Sequence, residues 1–279
     1  MTTKHAKSIA VAPAFQEILG ATVTEYTLDT DQLGTFTREV EPTGTVLETA
    51  RRKCEWGMNQ IDADYGLANE ACFEPNPGYP FIPFSLEVLY FIDRRRNFHL
   101  YMRRFHTLTS YQHETVDSVE ALLQFAARTQ FPSHALVLRP NVWKPGEPIY
   151  PGIDNAKNLA YYYQLARKQS ADGLVWVATD MRAHVNPTRM AEIGLLARKL
   201  ARRLSTPCPM CHAPGWGPVG KDQRLSRNYY GQPSQQTESE TYGCVLCDHT
   251  QTRRYTDYRT RYCRDRSMGL QPRQFHITP

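Results

Sequence analysis

An α/β fold, with a mixed sheet flanked by helices and a small C-terminal zinc-ribbon module, is predicted by three features of the sequence. Runs rich in β-branched residues are interleaved with stretches of helical periodicity. Two apolar runs, "LEVLYFI" (86–92) and "FHLYMRR" (98–104), are separated only by "DRRRN" and read as an antiparallel hairpin. Five of the seven cysteines lie beyond residue 207. The expected division is an α/β domain over residues 1–204 and a basic zinc-ribbon module over 205–279.

The elements follow in order. A helix near Pro13–Leu19 precedes the alternating strand "ATVTEYTL" (21–28). "TVLETARRKCEWGM" (45–58) reads as a helix entered through Gly44-Thr45, and "DYGLANEACF" (64–73) as a short buried strand. The proline-rich "EPNPGYPFIPF" (74–84) is expected to be an ordered surface excursion before the hairpin. A helix over Val116–Thr129 leads to the strand "HALVLR" (134–139), and "PNVWKPGEPIYPG" then breaks regular structure. A helix near Asn155–Lys168 and the apolar strand "GLVWVAT" (173–179) follow. The last helix has Asn186 as cap, Pro187 at its first position, and Met190, Ile193, Ala197, Leu200 and Leu204 at helical spacing. The polar stretch 220–241 is expected to be a long loop within the tail module.

At 279 residues and 41% hydrophobic content, the chain has enough apolar surface for a full core. No window approaches the ~18 apolar residues of a membrane span, and the N-terminus lacks a signal-type apolar region. A cytoplasmic protein with no membrane partner is the expectation. Charge is uneven: from Ala201 onward twelve Lys/Arg face six Asp/Glu, so the tail carries +6 and the first 200 residues −1. Such a tail suits phosphate or nucleic acid, and equally a solvated basic surface.

"CPMC" (208–211) and "CVLC" (244–247) are two CxxC knuckles separated by 32 residues. Each turn presents two thiolates, so Cys208, Cys211, Cys244 and Cys247 can enclose zinc. Disulfides are the alternative, and a reducing compartment argues against them. Four thiolates leave no open position, which makes the metal structural and removes the need for His212 or His249 as ligands. Cys263 is left unpaired, and Cys54 and Cys72 read as small buried hydrophobes.

Three N-terminal features suggest phosphate chemistry. "TTKHAK" places Thr2 and Lys7 ahead of a helix, where backbone N–H groups and an ammonium hold phosphate. "EPTGTVLETARRK" places Glu41 before a Gly-Thr turn and Lys53 within the next helix, and "LANEACF" ends its strand near Glu70. Two carboxylates from separate elements can hold Mg²⁺ while two lysines neutralise a polyphosphate. Taken singly, each of these residues also fits a solvated or paired surface charge.

Together they resemble the inosine/xanthosine triphosphatases, the non-canonical purine nucleoside triphosphate pyrophosphatases. That family opens with a T-x-N-x-x-K motif, matched by Thr2 and Lys7 with Lys4 in the asparagine position. Its E-T-G-x-T-F-x-E-N-A-x-x-K-A motif is similar to "EPTGTVLETARRKC", with Glu41, Thr45, Glu48, Ala50 and Lys53 matching and Thr49 replacing asparagine. Asn69 and Glu70 stand where the family has aspartates. The resemblance implies a cleft between two lobes, Mg²⁺ as cofactor, and hydrolysis of a nucleoside triphosphate to monophosphate and pyrophosphate. Lys7 and Lys53 would bind phosphates, and Glu41 and Glu70 would bind the metal or orient water. The whole chain also resembles an uncharacterised family of bacterial and phage proteins that end their core in T-D-M-R-A-H-x-N-P-T-R-M and carry cysteine pairs after it.

That motif, "TDMRAHVNPTRM" (179–190), sits at a strand-to-helix junction, the edge where α/β proteins bind ligands. Asp180, Arg182, His184, Asn186 and Arg189 are therefore expected to contact the nucleotide, with His134 a further candidate for the cleft. A structural reading competes: Asn186 as cap, Asp180 paired with Arg182, and Arg189 bridging to the protein surface. Asp180 and His184 could also share a cation, though no third ligand is evident. The expected function is a Mg²⁺-dependent nucleoside triphosphate pyrophosphatase-like hydrolase acting on a canonical or modified nucleotide. Its rival is a non-catalytic nucleotide- or nucleic-acid-binding protein using the basic ribbon, and a homodimer is admitted under either.

Overall fold

Parallel and antiparallel pairing meet in one five-stranded sheet of the computed structural model, which describes residues 1–33, 44–76, 79–106, 109–144, 146–222 and 239–254. The two-residue strand β1 (Thr2–Thr3) runs parallel to β2 (Tyr26–Thr27) on one side and to β3 (Tyr65–Asn76) on the other. β3 continues into an antiparallel meander with β4 (Tyr79–Asp93) and β5 (Phe98–His106), giving the order β2-β1-β3-β4-β5.

Alternation along the central strands sends side chains to two separate cores. Ala68, Val88 and Tyr90 face α2 (Val46–Gln60) and its Ala50, Cys54 and Met58. Leu67, Leu89 and Leu100 face the opposite layer, where α1 (Ser8–Leu19) packs beside α5 (Pro187–Leu204) through Val11, Phe15, Ile193, Leu196 and Leu200. Local signals fix the helix starts. Thr45 and Glu48 form a reciprocal capping box, with Glu48 N donating to Thr45 Oγ1 at 3.2 Å and Thr45 N to Glu48 Oε2 at 2.7 Å. Asn186 Oδ1 accepts from Arg189 N at 3.0 Å ahead of Pro187.

A second, wholly antiparallel sheet runs in the order β6 (His113–Val116), β9 (Val175–Thr179), β7 (Leu136–Pro140), β8 (Tyr150–Ile153). One of its faces is covered by α3 (Val119–Arg128) and α4 (Ala156–Gln169), whose Leu122, Phe125, Leu159 and Tyr163 pack on Val116, Leu136, Leu138 and Val177. The chain then forms a three-stranded antiparallel ribbon of β10 (Gly217–Asp222), β11 (Ser239–Gly243) and β12 (Thr250–Arg254). The ribbon is not a free appendage. Arg203 Nε at the end of α5 donates to Gly215 O at 3.2 Å, and Val245 packs against the α1–α5 core.

The structure departs from expectation in four places. The mixed sheet is present, but a second sheet stands beside it because β6 and β8 are too short to signal themselves. Of residues 21–28 only Tyr26 and Thr27 pair as a strand, since their neighbour β1 is two residues long. The stretch 74–84 is largely strand, with Pro75 opposite Pro83 in the ladder. Among the described residues the β4–β5 pairing ends at Ser85 opposite His106. The break at 140–152 contains the start of β8. Cys54 is fully buried as expected, whereas Cys72 is only half-buried. Cys263, Glu41 and most of 220–241 lie outside the described residues. Among the described residues no helix is long and apolar enough to cross a membrane.

Gly57 lets α2 sit directly on β1: a Cβ there would lie 1.7 Å from Thr2 Oγ1. Helix propensity favours alanine by about 1 kcal/mol, but overpacking of this kind typically exceeds it. Gly57→Ala is therefore expected to lower the urea midpoint at unchanged slope; an equal or higher midpoint would show that the contact does not confine the helix.

Candidate anion site and metal centre

β1 stops at Thr3 while β3 runs on beside it, leaving a gap at the carboxyl end of β1 that the loop 4–7 and the first turn of α1 fill. Thr3 Oγ1 accepts the N–H of His5 at 3.2 Å, and Ala6 takes a left-handed φ of 49° to swing the chain into the helix. Lys7 occupies the cap position with no side-chain cap. Its buried ammonium instead reaches across to Asn69 O, donating at 3.1 Å.

Charges from three helices converge on this gap. Lys53 of α2 is ion-paired with Glu70 of β3, whose other oxygen accepts from Ala71 N at 3.1 Å. On the opposite face of the sheet Glu87, wholly buried on β4, accepts from Arg189 Nε of α5 at 2.6 Å and from Asn69 Nδ2 at 2.9 Å. Arg189 also donates to Met181 O and lies over the Phe73 ring at 5.0 Å. Burial, reinforced by Arg189 and Lys53 and opposed by Glu70 and Glu87, brings the Lys7 pKa down to about 7. Burial pushes the Glu70 carboxyl up, but Lys53 and Lys7 outweigh it and hold the group below its ordinary value. Asn69 Oδ1 and Ser85 Oγ are buried beside this network without a hydrogen-bond partner.

The turn 180–189 joins the site to the second sheet. Asp180 is fully buried: Oδ1 accepts from Arg182 N at 2.9 Å, and Oδ2 from Gly152 N at 2.9 Å and Arg182 Nη2 at 2.6 Å. Asn186 donates to Asp180 O at 3.0 Å and accepts from Ser110 Oγ at 3.0 Å as well as capping α5. His184 stacks on His5 with ring centroids 4.9 Å apart, and burial followed by Arg182 lowers its pKa. His134 is held at the start of α5, with Nε2 2.9 Å from Thr188 Oγ1.

The structure thus brings together Lys7, Lys53, Glu70 and Arg189, with His184 meeting the same loop through His5. It turns Thr2 toward α2 instead, and it commits Asp180 and Asn186 to internal hydrogen bonds. Arg189 bridges to buried Glu87, not to the surface. Among the described residues Asp180 and His184 belong to no cluster of metal-ligating groups. Glu87 was not singled out in the sequence, although a carboxylate two residues before the core positions Leu89 and Phe91 is the signal that marks it. Two concave surfaces lie elsewhere, one of about 330 Å³ beside Ile9 and Pro13 and one of about 340 Å³ near Asn59 and Arg94. The charged gap is closed by its own ion pairs.

In the ribbon, the sulfurs of Cys208, Cys211, Cys244 and Cys247 all lie within 4.8 Å of one another, a cluster that could hold a metal ion such as zinc. Cys208 and Cys247 are 3.9 Å apart and Cys211 and Cys244 3.6 Å. Each knuckle turns its amides toward a thiol: Met210 N donates to Cys208 Sγ at 3.4 Å and Leu246 N to Cys244 Sγ at 3.3 Å. His212 and His249 stay outside the cluster, and His249 stacks on Trp216 at 5.3 Å.

Residues 53–264 match the family described as "Domain of unknown function (DUF6671)". No curated protein and no solved structure matches the chain.

The depressed pKa of Lys7 has a signed consequence. An unfolded chain keeps this proton up to pH 10.5, whereas the folded chain releases it from about pH 7, so stability rises with pH across that window. Chemical denaturation of wild type and Lys7→Met at intervals over this range should show the rise flattened in the variant. Parallel curves would place the Lys7 ammonium in a solvated setting.

Proposed function

The chain belongs to the DUF6671 family, and from the geometry of its own site we propose that it is a nucleotide phosphoanhydride hydrolase related to the inosine/xanthosine triphosphatases. The observation that carries this reading is the convergence of Lys7, Lys53 and Arg189, one from each of three helices, at the carboxyl end of β1 and the N-terminus of α1. Lys53 and Arg189 are paired with Glu70 and Glu87, so in this reading a polyphosphate enters by taking the place of Glu70 at Lys53 and by accepting from Lys7, and the first turn of a helix adds its free N–H groups. The order of elements supports the kinship: strand, phosphate loop, helix, then the "TVLETARRK" helix lying across the carboxylate strand.

In this reading Lys7 and Lys53 bind phosphates, while Arg189, fixed by Glu87, orients them. His184 and Arg182 line the nucleoside side. Glu70, with Glu41, is the carboxylate set for Mg²⁺, which when bound neutralises phosphate charge and polarises water. Among the described residues no third acidic or imidazole ligand joins Glu70, and Mg²⁺ commonly takes only one or two carboxylates beside substrate phosphates. Water attacks the α-phosphorus, the bond to the β-phosphate bridge breaks, and monophosphate and pyrophosphate leave. Residues 1–204 would form the hydrolase unit, and 205–279 a basic ribbon closed by structural zinc. The sulfur separations support the metal, since a tetrahedron with Zn–S of about 2.3 Å spaces its sulfurs by about 3.8 Å. Thiolate ligation fits a reducing cytoplasm.

A second reading rests on the +6 charge of the tail: a nucleotide- or nucleic-acid-binding protein without turnover. Pyrophosphate release from a panel of canonical and modified nucleoside triphosphates with Mg²⁺ separates the two. Under the hydrolase reading Glu70→Gln should slow release by roughly 10²-fold or more while leaving nucleotide affinity within a few-fold. Binding without release in the wild type would favour the second reading, and neither would dispose of both. Metal analysis should find one zinc per chain, absent from the double variant Cys211→Ser/Cys244→Ser; full folding of the ribbon in that variant would exclude a structural role.

A further inference from the structure

The second sheet has one face covered by α3 and α4 and one that carries a different kind of residue. In the register of the sheet Trp176 of β9 lies between Thr115 of β6 and Arg139 of β7, and His113 of β6 is opposite Ala178. These side chains share the face turned away from the Val116, Leu138 and Val177 core. Trp176, Trp143 and Arg139 are half-buried and His113 is exposed.

Rings and guanidinium groups follow one another along this face. Arg139 lies 5.5 Å from the Trp143 ring and 4.3 Å from the Trp176 ring. Trp176 stacks with His113 at 6.0 Å, and His113 meets Tyr111 at 5.6 Å. Tyr111 meets Phe73 at 6.2 Å, and Phe73 lies under Arg189 at 5.0 Å. The row therefore ends at the buried cations around Lys7. Arg139 donates to the carbonyls of Pro140 and Asn141, at 3.0 and 3.1 Å, and among the described residues it pairs with no carboxylate. Acids nearby are already engaged: Asp172 accepts from Asn141 and Ser170, and Glu114 is paired with Arg128.

We propose that this face binds single-stranded DNA, with bases stacking on the Trp143–Arg139–Trp176–His113 row and Arg139 meeting the phosphate backbone. Every base has a π-face, so a row of aromatic and guanidinium planes on an antiparallel sheet receives successive bases with little regard to sequence. The row extends past what one nucleoside covers, which favours a strand over a mononucleotide. A deoxyribose backbone fits because the hydroxyl and amide beside the row are satisfied internally: Thr115 donates to Asn141, and Asn141 to Asp172.

This inference is independent of the hydrolase reading, because it concerns binding and needs no turnover. The test is titration of labelled oligothymidylate of about ten nucleotides into the full chain, read by anisotropy and by quenching of tryptophan emission. Wild type should bind with salt-dependent affinity. Trp176→Ala and Arg139→Ala should each weaken binding by about tenfold or more, and Trp176→Phe, which keeps a ring, should restore most of it. Arg139→Ala should also flatten the dependence of log affinity on log salt by about 0.7. Binding unchanged in both alanine variants would overturn the proposal, as would loss confined to ribbon substitutions such as Arg253→Gln. Preference of about tenfold for the matching oligouridylate would overturn the assignment to DNA.

Discussion

The buried pairing of Arg189 with Glu87 is the constraint on which the remainder of the site depends. Glu87 lies in the middle of a strand with no access to water, where an ionised carboxylate is sustained only by close partners. Arg189 supplies one at 2.6 Å and Asn69 another at 2.9 Å. Because the same guanidinium also holds the Met181 carbonyl and covers Phe73, the first turn of α5 is fixed to β3, β4 and the preceding turn at once. Removing one partner of such a pair generally costs about 3–5 kcal/mol, since the other charge remains buried. Lys7 inherits its environment from this arrangement: Arg189 and Lys53 each have a close carboxylate, whereas the Lys7 ammonium rests on a carbonyl oxygen.

Legibility in the sequence followed the range of the interaction. The helix entry at Gly44-Thr45, the Asn186-Pro187 helix start and the hairpin at 93–98 arise between residues a few positions apart, and each was readable. The four cysteines were readable because knuckle spacing is itself a local geometry. Lys7, Lys53, Glu70 and Arg189 could be named as candidates, but their meeting depends on how three helices pack on one sheet. Glu87 and Arg189 are 102 positions apart, and nothing local announces their bond. Strands β6 and β8, of four residues each, form only because neighbours template them, which is why one sheet was expected beside the ribbon and two are found. Asp180 shows the reverse case. Its surroundings of charged letters suggested ligand contact, while Gly152 and Arg182 satisfy both its oxygens.

The ribbon is coupled to the main body through a small number of packed groups. Gly215 lies against Val245 and Leu100, and Arg203 at the end of α5 holds the Gly215 carbonyl. The same helix carries Arg189 at its other end. One rigid rod of 18 residues thus connects the cysteine cluster to the charged gap.

Asn186 illustrates how selective such a junction is by charge and not by shape. Its oxygen accepts from Arg189 N and Ser110, and its nitrogen donates to the Asp180 carbonyl. An aspartate has the same outline and would serve as well as a helix cap. It has no N–H to give, however, and would set two oxygens face to face in a space from which water is excluded. A space-filling description would call the two residues interchangeable here, whereas only the amide provides donor and acceptor at once.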